Sequence, residues 1–382
     1  YQIMGTNAGQ AIQAMRILKT LTPDDGLYMI ERSVEQMVED MKLGTEIVID
    51  EDLKQKYLDA KTDSEKDAAL DALAKNVASK IHSTAMDKWT ALRYLNMLGN
   101  LRTQVRNISG NLGMFLTSRV QNTIAATIEA IAEKASGGKF KRTKSAFVGR
   151  GLLKASKNDF AYVEQVALNG GKFNDSMAKS VQFQQKVQDS RKIFNGIFMP
   201  LEQYRRATNW AMSQGDLVFS KAAYGRALAG YLKANGITET DFSKIDQQTF
   251  DEASAYAVKD AQEVTFRDNN WLSDWVYKMG RRKDTPKVGK LISEGVMPFR
   301  KTPANILLRA EEYSPLGILN ATAKSIKAVK GDISGAEVVN SWAKALTGTG
   351  LFALGMLLNN LGVLSGGPDD DENKEQFENQ YG

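Results

Sequence analysis

The sequence predicts an all-α protein, an elongated array of long helices joined by short turns, with essentially no sheet. Apolar residues recur at spacings of three and four along most of the chain, which is the period of an amphipathic helix. Gly, Pro and Asn mark the places where that period is interrupted. No stretch alternates polar and apolar residues between hairpin turns, as the strands of a sheet would.

Composition excludes several kinds of site. The 382 residues include no cysteine and one histidine, and their net charge is +5. Disulfides and thiolate metal sites are therefore excluded. The lone His82 forms neither a metal cage nor a triad, so we interpret it as a surface or packing residue. The motifs of zinc proteases, serine hydrolases and Walker ATPases are missing, and we expect a protein that is not an enzyme and binds no cofactor or metal.

The N-terminal residues 6–43 are predicted to form a hairpin of two helices, with the turn at Thr22-Pro23-Asp24-Asp25-Gly26. A polar helix is expected at about 50–60. Ser64 then begins a long helical run to Met97, rich in Ala, Lys, Asp and Leu. The first residue is Tyr, and no signal-peptide pattern follows it, so we expect a piece of a longer polypeptide.

A pair of helices with a turn at Gly99-Asn100 is predicted next. The second helix carries Arg102 and Arg106 on one face, four residues apart. Two interpretations of these arginines stay open. They cap carbonyls or pair with acids inside the fold, or they contact phosphate, for which the guanidinium group is well shaped.

Four later helices are predicted at about 158–169, 176–197, 199–234 and 246–266. Pro200 suits the first turn of a helix, and Gly236 suits a helix C-terminus.

Another helix is expected to begin at Thr302-Pro303, because threonine is a good N-cap and proline suits the first helical position. It should end before Pro315, since the residue before a proline disfavours the helical conformation. Its apolar residues Ile306, Leu307 and Ala310 are expected to pack inward.

Two basic stretches, within 134–157 and 278–301, are candidates for binding a polyanion such as nucleic acid or anionic lipid. A solvated surface is the alternative for both. The loop 139–144 follows two glycines and is expected to be exposed and mobile. Aromatic residues beside the second stretch suit base stacking, a membrane interface or core packing. The candidate residues are Lys139, Lys141, Arg142, Lys144, Arg281, Arg282 and Lys283.

The C-terminal segment 297–364 differs from the rest because no residue between Lys344 and Asp369 is charged. That gap is long enough for a helix to cross a bilayer, which takes about 20 residues. A buried core helix and a membrane-active helix both fit. We expect 345–364 to pack against other helices or a neighbouring subunit before delivery, because an exposed apolar patch would drive aggregation.

The residues before this segment are typical of a helix that lies on an anionic membrane. Leu319, Ala323 and Ile326 share one face. The cations that precede the uncharged segment are Lys324, Lys327, Lys330 and Lys344.

Three passages occur in order along the chain: a Leu-rich helix that runs into an Arg-Thr and Arg-Asn sequence, the stretch 261–268, and the stretch 298–317. Together they resemble the helical core region of large polyvalent proteins of temperate phages and integrative elements. The resemblance implies packaging with, or delivery beside, mobile DNA, and it implies no chemistry. The residues that carry it are Arg102, Thr103, Arg106, Asn107, Thr265, Phe266, Pro298, Phe299, Thr302, Pro303, Asn305, Ser314 and Pro315.

We therefore expect a non-enzymatic virion-associated protein, of the internal or ejection type. It would assemble with its own copies or other virion proteins and help deliver DNA across a membrane, which it would contact through 316–364. Its expected location is the virion interior, or the host cytoplasm before assembly and the host membrane on delivery. The alternative is a soluble helical scaffold or nucleic-acid-binding module of a mobile-element polyvalent protein.

The expected division of the chain has six segments. They are an N-terminal hairpin and linker (1–63), a long-helix segment (64–136), a basic loop (137–157), a central helical region (158–296), a C-terminal segment with the apolar helix (297–366) and an acidic disordered tail (367–382).

Overall fold

The predicted fold class is confirmed. A computed structural model describes residues 22–41, 46–169, 178–268, 270, 272 and 301–364. Within these residues the regular elements are twelve α-helices and two short 3₁₀ helices, and no strand is present. The 3₁₀ helices are Gly196–Phe198 and Phe242–Lys244. In chain order the α-helices are α1 (Pro23–Met41), α2 (Glu51–Asp59), α3 (Asp63–Lys80), α4 (Ala85–Leu98), α5 (Leu101–Ala135), α6 (Arg150–Asn169), α7 (Ala178–Ser190), α8 (Met199–Ala234), α9 (Gln247–Val264), α10 (Lys301–Glu312), α11 (Gly317–Val329) and α12 (Gly335–Asn360).

The chain divides into two compact units. Unit 1 comprises Tyr1–Phe115 and Val148–Asn269, and unit 2 comprises Leu116–Phe147 and Asn270–Gly382. The 35-residue helix α5 contributes its first part to unit 1 and its second part to unit 2.

The first core of unit 1 lies among α1, α2, α3 and α7. Ile30 on α1 and Leu73 on α3 are fully buried members of apolar stripes at helical spacing. Phe183 and Val187 on α7 complete the cluster and are also fully buried. Because burying each such side chain contributes about 1.5–3 kcal/mol, this cluster accounts for the packing of α7 on helices far away in the sequence.

The second core of unit 1 is built by α6, α8 and α9 largely from small side chains. A Cβ atom at Gly225 of α8 would lie 2.4 Å from the Cγ of Lys157 and 3.1 Å from its Cα on α6, so the two helices approach closely there. Ala253 and Ala257 on α9 are fully buried against the same core. The small residues therefore set the spacing of these three helices.

Several predicted boundaries are confirmed. α5 begins after the predicted turn at Gly99-Asn100, where the Asn100 side chain accepts a hydrogen bond from the N–H of Arg102 at 2.9 Å. α8 has Pro200 in its first turn and is followed by Gly236 with φ +78°. α9 begins directly after Asp246, whose side chain caps it.

The helical run predicted from Ser64 to Met97 is divided into α3 and α4. Thr84 begins α4 with a capping box: its hydroxyl accepts from the N–H of Asp87 at 3.1 Å, and the Asp87 carboxylate accepts from the N–H of Thr84 at 2.9 Å. The Thr-x-x-Asp pattern is a signal for the start of a helix. It was overlooked because the composition of the run favours one continuous helix. His82 lies in this break and is exposed.

Other helix boundaries differ from the predicted ones. α1 begins at Pro23, so the predicted turn is the start of a helix, and the Thr22 hydroxyl accepts from the N–H of Asp25 at 3.2 Å. The partner helix of the predicted hairpin falls mostly within 1–21, outside the described residues. α6 begins at Arg150 instead of 158, because Leu152 belongs to the same buried core as Phe160.

Unit 2 contains α10, α11, α12 and the second part of α5. Ala125 of α5 is fully buried against Val339 and Ala343 of α12. Phe140, in the loop after α5, packs on Gly335, where a Cβ would lie 2.8 Å from its ring.

The helix expected to end before Pro315 does so, since α10 ends at Glu312. The prediction of its inward face is wrong, because Ile306 and Leu307 are 48% and 65% exposed, and Ala310 is exposed too. The buried side chains of α10 include Ala304 and two polar residues: Asn305 accepts from the amide of Asn270 at 2.6 Å, and Arg309 is buried in an ion cluster. Polar contacts therefore contribute to the orientation of α10.

Candidate functional site

The candidate site is the C-terminal end of α12, which we call the apolar tip and define as residues 350–364. The helix is held in unit 2 up to Gly348. A Cβ there would lie 2.0 Å from the carbonyl carbon of Tyr313, so the corner between α10 and α11 crosses α12 in direct backbone contact. The Tyr313 hydroxyl donates to Gln121 of α5 at 3.0 Å, and the Gln121 amide donates to Asn340 of α12. These bonds fix the corner in place.

A buried ion cluster lies just before this crossing. The Lys344 ammonium lies 3.1 Å from a carboxylate oxygen of Glu312, and Arg309 pairs with the same oxygen. All three side chains are almost fully buried. Lys344 precedes the uncharged segment as predicted, but its charge is compensated inside unit 2.

The apolar tip itself is exposed on every side. Each of its residues is exposed except Gly355 and Leu358, which are half-buried. The expectation that 345–364 packs against other helices is thus confirmed for Ala345, Thr347 and Gly348, and it is wrong for the exposed residues of the tip. The alternative that a neighbouring subunit covers the tip stays a prediction. Its large side chains are 46–67% exposed: Leu351, Phe352, Leu354, Met356, Leu357, Leu361, Val363 and Leu364.

The length of the tip argues against a bilayer-crossing helix. Among the described residues, no helix is both long and apolar enough to cross a membrane. Ala345, Thr347 and Gly348 are buried in unit 2, and the helical residues 350–360 extend about 17 Å at a rise of about 1.5 Å per residue. A hydrocarbon core is about 30 Å thick, so the expected crossing does not fit this helix.

Helix α11 presents a second exposed apolar surface in unit 2. It packs on α12, where the Trp342 indole donates to the Ser325 hydroxyl of α11 at 3.0 Å. The small residues Gly317 and Ala321 of α11 are buried. The three residues predicted to share a face are all exposed, with Leu319 at 70%. The lysines of this helix and its end differ in their surroundings. Lys324 lies 3.8 Å from Glu337, whereas Lys327 and Lys330 are exposed.

A buried carboxylate accepts hydrogen bonds from the predicted basic loop. Glu129 of α5 is fully buried and accepts from the N–H and hydroxyl of Thr143 at 2.7 and 2.6 Å and from the N–H of Lys144 at 2.8 Å. Lys144 is only 6% exposed, and its ammonium donates to Asn122. The expectation of an exposed loop is wrong at Lys144, because the buried carboxylate requires nearby donors.

The other candidate cations have different surroundings. Arg142 is half-buried, 3.4 Å from Glu133, and Lys139 and Lys141 are exposed. The candidates Arg281, Arg282 and Lys283 lie outside the described residues, as do the aromatic residues at 271, 275 and 277 and the acidic tail.

The arginines of the first motif passage are exposed. Neither Arg102 nor Arg106 pairs with an acid in the described part of the chain. The neighbouring motif residue Asn107 points inward and donates to Asp216 of α8 at 3.2 Å. Asn111 donates to the same carboxylate at 2.9 Å.

Arg267, in the second motif passage, also pairs with Asp216. Two of the three passages therefore meet at one buried carboxylate of unit 1. Asp216 was not predicted from the sequence, because its partners lie about 50 and 105 positions away.

The structure also shows where most of the remaining motif residues lie. Thr265 donates to the carbonyl of Ala261 at 2.8 Å and ends α9, and Phe266 follows with φ +56°. Ser314 donates to the carbonyl of Glu311 at 2.8 Å in the corner before α11. Thr103 is half-buried; Thr302, Pro303 and Pro315 are exposed. Pro298 and Phe299 lie outside the described residues.

A second buried carboxylate that sequence reasoning missed is Glu202 in the first turn of α8. It accepts from Arg205 at 2.6 Å, from Arg206 at 2.8 Å and from the N–H groups of Ile193 and Phe194 at 3.2 and 3.3 Å. Burial alone would raise the pKa of its carboxyl, but the arginine hydrogen bonds outweigh burial and lower the pKa to about 2. The i, i+3, i+4 spacing of acid and arginines was a detectable signal.

The buried carboxylates of both units thus hold structure together. In the described part of the chain, no group of three or more metal-ligating side chains is arranged to hold an ion. The apolar tip and the exposed apolar surface of α11 have no such role in the described part of the chain. No protein-family model, curated protein or solved structure matches the chain.

Proposed function

We propose that this protein is a non-enzymatic, virion-associated protein of a phage or related mobile element that binds a membrane during DNA delivery by burying its apolar tip in one leaflet. The observation that carries the membrane step is the exposure of the tip on all sides. Apolar surface on this scale marks a binding surface, since it would otherwise drive aggregation.

Hydrocarbon suits the tip better than a partner helix. A partner helix covers one stripe of residues, whereas Leu351, Phe352, Leu354, Met356 and Leu357 project at angles all around the axis. A helix that is apolar on all sides belongs in a core or a membrane. Its helical length of about 17 Å suits one leaflet, about half of a 30 Å core.

The virion and DNA parts of the proposal come from the resemblance in the three motif passages. The nucleic-acid scaffold alternative receives less support, because Lys144 is buried and Arg142 lies near Glu133, which leaves fewer exposed cations on that loop. Exposed Lys327 and Lys330 of unit 2 add attraction to anionic lipid.

The experiment compares liposome binding and dye leakage of the intact chain with those of a Leu354→Lys, Leu357→Lys variant. A charge within hydrocarbon costs about 2.5–3.5 kcal/mol, so we expect partition to fall more than tenfold. The matched control is Ile197→Lys, Val218→Lys, which adds the same charge at exposed apolar residues of unit 1 and should bind as the intact chain does.

Equal partition of the tip variant and the control would contradict the membrane step. DNA binding that falls steeply with salt, without liposome binding by the intact chain, would favour the scaffold alternative. Ending the chain at Lys344 is a less clean test, because it also removes Thr347 and Gly348, which are buried in unit 2.

A further inference from the structure

Unit 1 contains an open cleft of about 560 Å³ between α1 and the segment that precedes α2. Its volume lies in the range of about 300–1,000 Å³ that is usual for binding sites. The lining residues are Glu31, Val34, Glu35 and Val38 of α1, Glu46, Ile47, Val48 and Ile49 of the segment, and Lys54 of α2.

The segment 46–50, directly before α2, is strand-like. Its burial alternates, with Ile47 and Ile49 buried and Glu46, Val48 and Asp50 exposed, which is the pattern of an extended chain. No backbone hydrogen bond joins residues 46–49 to the backbone of another described residue. An edge of this kind is a template for pairing with another chain.

The direction of the free backbone groups follows from one contact. The Val48 carbonyl accepts from the Lys80 ammonium of α3 at 2.7 Å. Neighbouring residues of an extended chain direct their N–H and C=O groups to opposite sides. Ile47 and Ile49 therefore direct theirs away from Lys80. Both residues line the cleft together with Val34 and Val38 of α1.

The charges of the cleft favour a cationic occupant. Glu31 is matched by Lys54 at 2.8 Å. Glu35 and Glu46 are exposed, and no ion pair joins either of them to a described residue. Val34, which is buried, contributes to the apolar floor of the cleft.

We infer that this cleft binds an extended basic peptide, which adds as a strand to residues 46–49. Main-chain hydrogen bonds to Ile47 and Ile49 hold the peptide, alternate apolar side chains contact the floor, and its lysines or arginines reach Glu35 and Glu46. This inference does not depend on the proposed membrane function.

The test measures fluorescence anisotropy of a labelled peptide of alternating Lys and Val with the full chain at low salt. We expect Glu35→Gln, Glu46→Gln to weaken binding at least tenfold. Glu39→Gln, Asp52→Asn removes the same charge at exposed acids outside the cleft and should change the affinity less than twofold. Equal losses in both variants would overturn the inference, because binding would then follow net charge alone.

A second measurement separates strand addition from simple cation binding. The same peptide with N-methylated backbone at alternate residues keeps its charge but loses donors, and we expect at least tenfold weaker binding. Unchanged binding of the methylated peptide would overturn the inference. So would competition by spermidine at equal charge concentration as strong as that by the unlabelled peptide, since the cleft would then be a site for small organic cations.

Discussion

Helices α8 and α12 are both half buried and half exposed, yet their apolar residues are placed in opposite ways. The buried half of α8, residues 220–232, is dominated by Ala, Gly and Tyr and lies between α6 and α9. The buried half of α12 includes the polar residues Ser341, Lys344 and Thr347. Its exposed half is the Leu-rich, uncharged apolar tip.

The difference shows that apolarity alone does not decide burial. A helix half is buried when other elements supply a complementary surface, as α6 and α9 do for α8. The tip extends past the corner at Tyr313, and none of the described elements reaches it with comparable packing. An exposed apolar surface without a structural reason is the informative case.

The largest expected effect tests this contrast with one substitution in each helix. Leu228 is fully buried in α8, and Leu354 is 49% exposed in the tip. We expect Leu228→Ala to lower the free energy of unfolding by about 2–5 kcal/mol through lost burial and a cavity. Leu354→Ala should change it by less than about 0.5 kcal/mol. Urea unfolding followed by circular dichroism measures both.

A comparable loss in Leu354→Ala would mean that the tip is buried in solution, by a second copy or by the rest of the chain. Repeating the unfolding at several protein concentrations separates these cases, because only burial between copies makes stability concentration-dependent.

The next largest expected effect concerns the exposed half of α8, which is held in place by the ion pairs of Glu202. Glu202 has a folded pKa of about 2, below its ordinary value of 4.5. A lowered carboxyl pKa stabilises the fold above the unfolded value and loses that contribution as pH falls from about 4.5 towards 2. The shift corresponds to about 3 kcal/mol at neutral pH.

The measurement is urea unfolding at pH 7, 4 and 3, compared with Glu202→Gln. We expect the intact chain to lose stability across this range and the variant to be less stable at pH 7 with a smaller pH dependence. Asp59→Asn on the exposed surface of α2 serves as the control. An identical pH dependence in the intact chain and the Glu202 variant would contradict the assignment.

Much of the fold was predictable because helix signals are local. The Gly99-Asn100 turn, Pro200 in the first turn of α8 and the Asp246 cap each depend on a few neighbouring residues. The break at Thr84 was also local, and the capping pattern with Asp87 predicts it once composition is set aside.

The candidate site was less predictable because burial depends on distant partners. Ile306 and Leu307 of α10 face outward, and the opposite face packs through the buried contacts of Asn305 and Arg309. Lys144 is buried by Glu129, 15 residues earlier. The uncharged segment was identified, but the point along α12 where packing ends depends on the crossing of Tyr313, which no local pattern in the sequence specifies.

The smallest expected effects compare two glycines of α12, one on each side of the point where the packing of this helix ends. A Cβ at Gly348 would lie 2.0 Å from the Tyr313 backbone, whereas a Cβ at Gly350 would meet nothing within 4 Å. Backbone cannot move aside as a flexible side chain can, so Gly348→Ala should destabilise unit 2 by about 1–3 kcal/mol. Gly350→Ala should stabilise the helix by up to about 1 kcal/mol, the difference in helix propensity. Hydrogen exchange of the α12 amides measures both changes, and effects of the same sign would place the end of packing elsewhere along the helix.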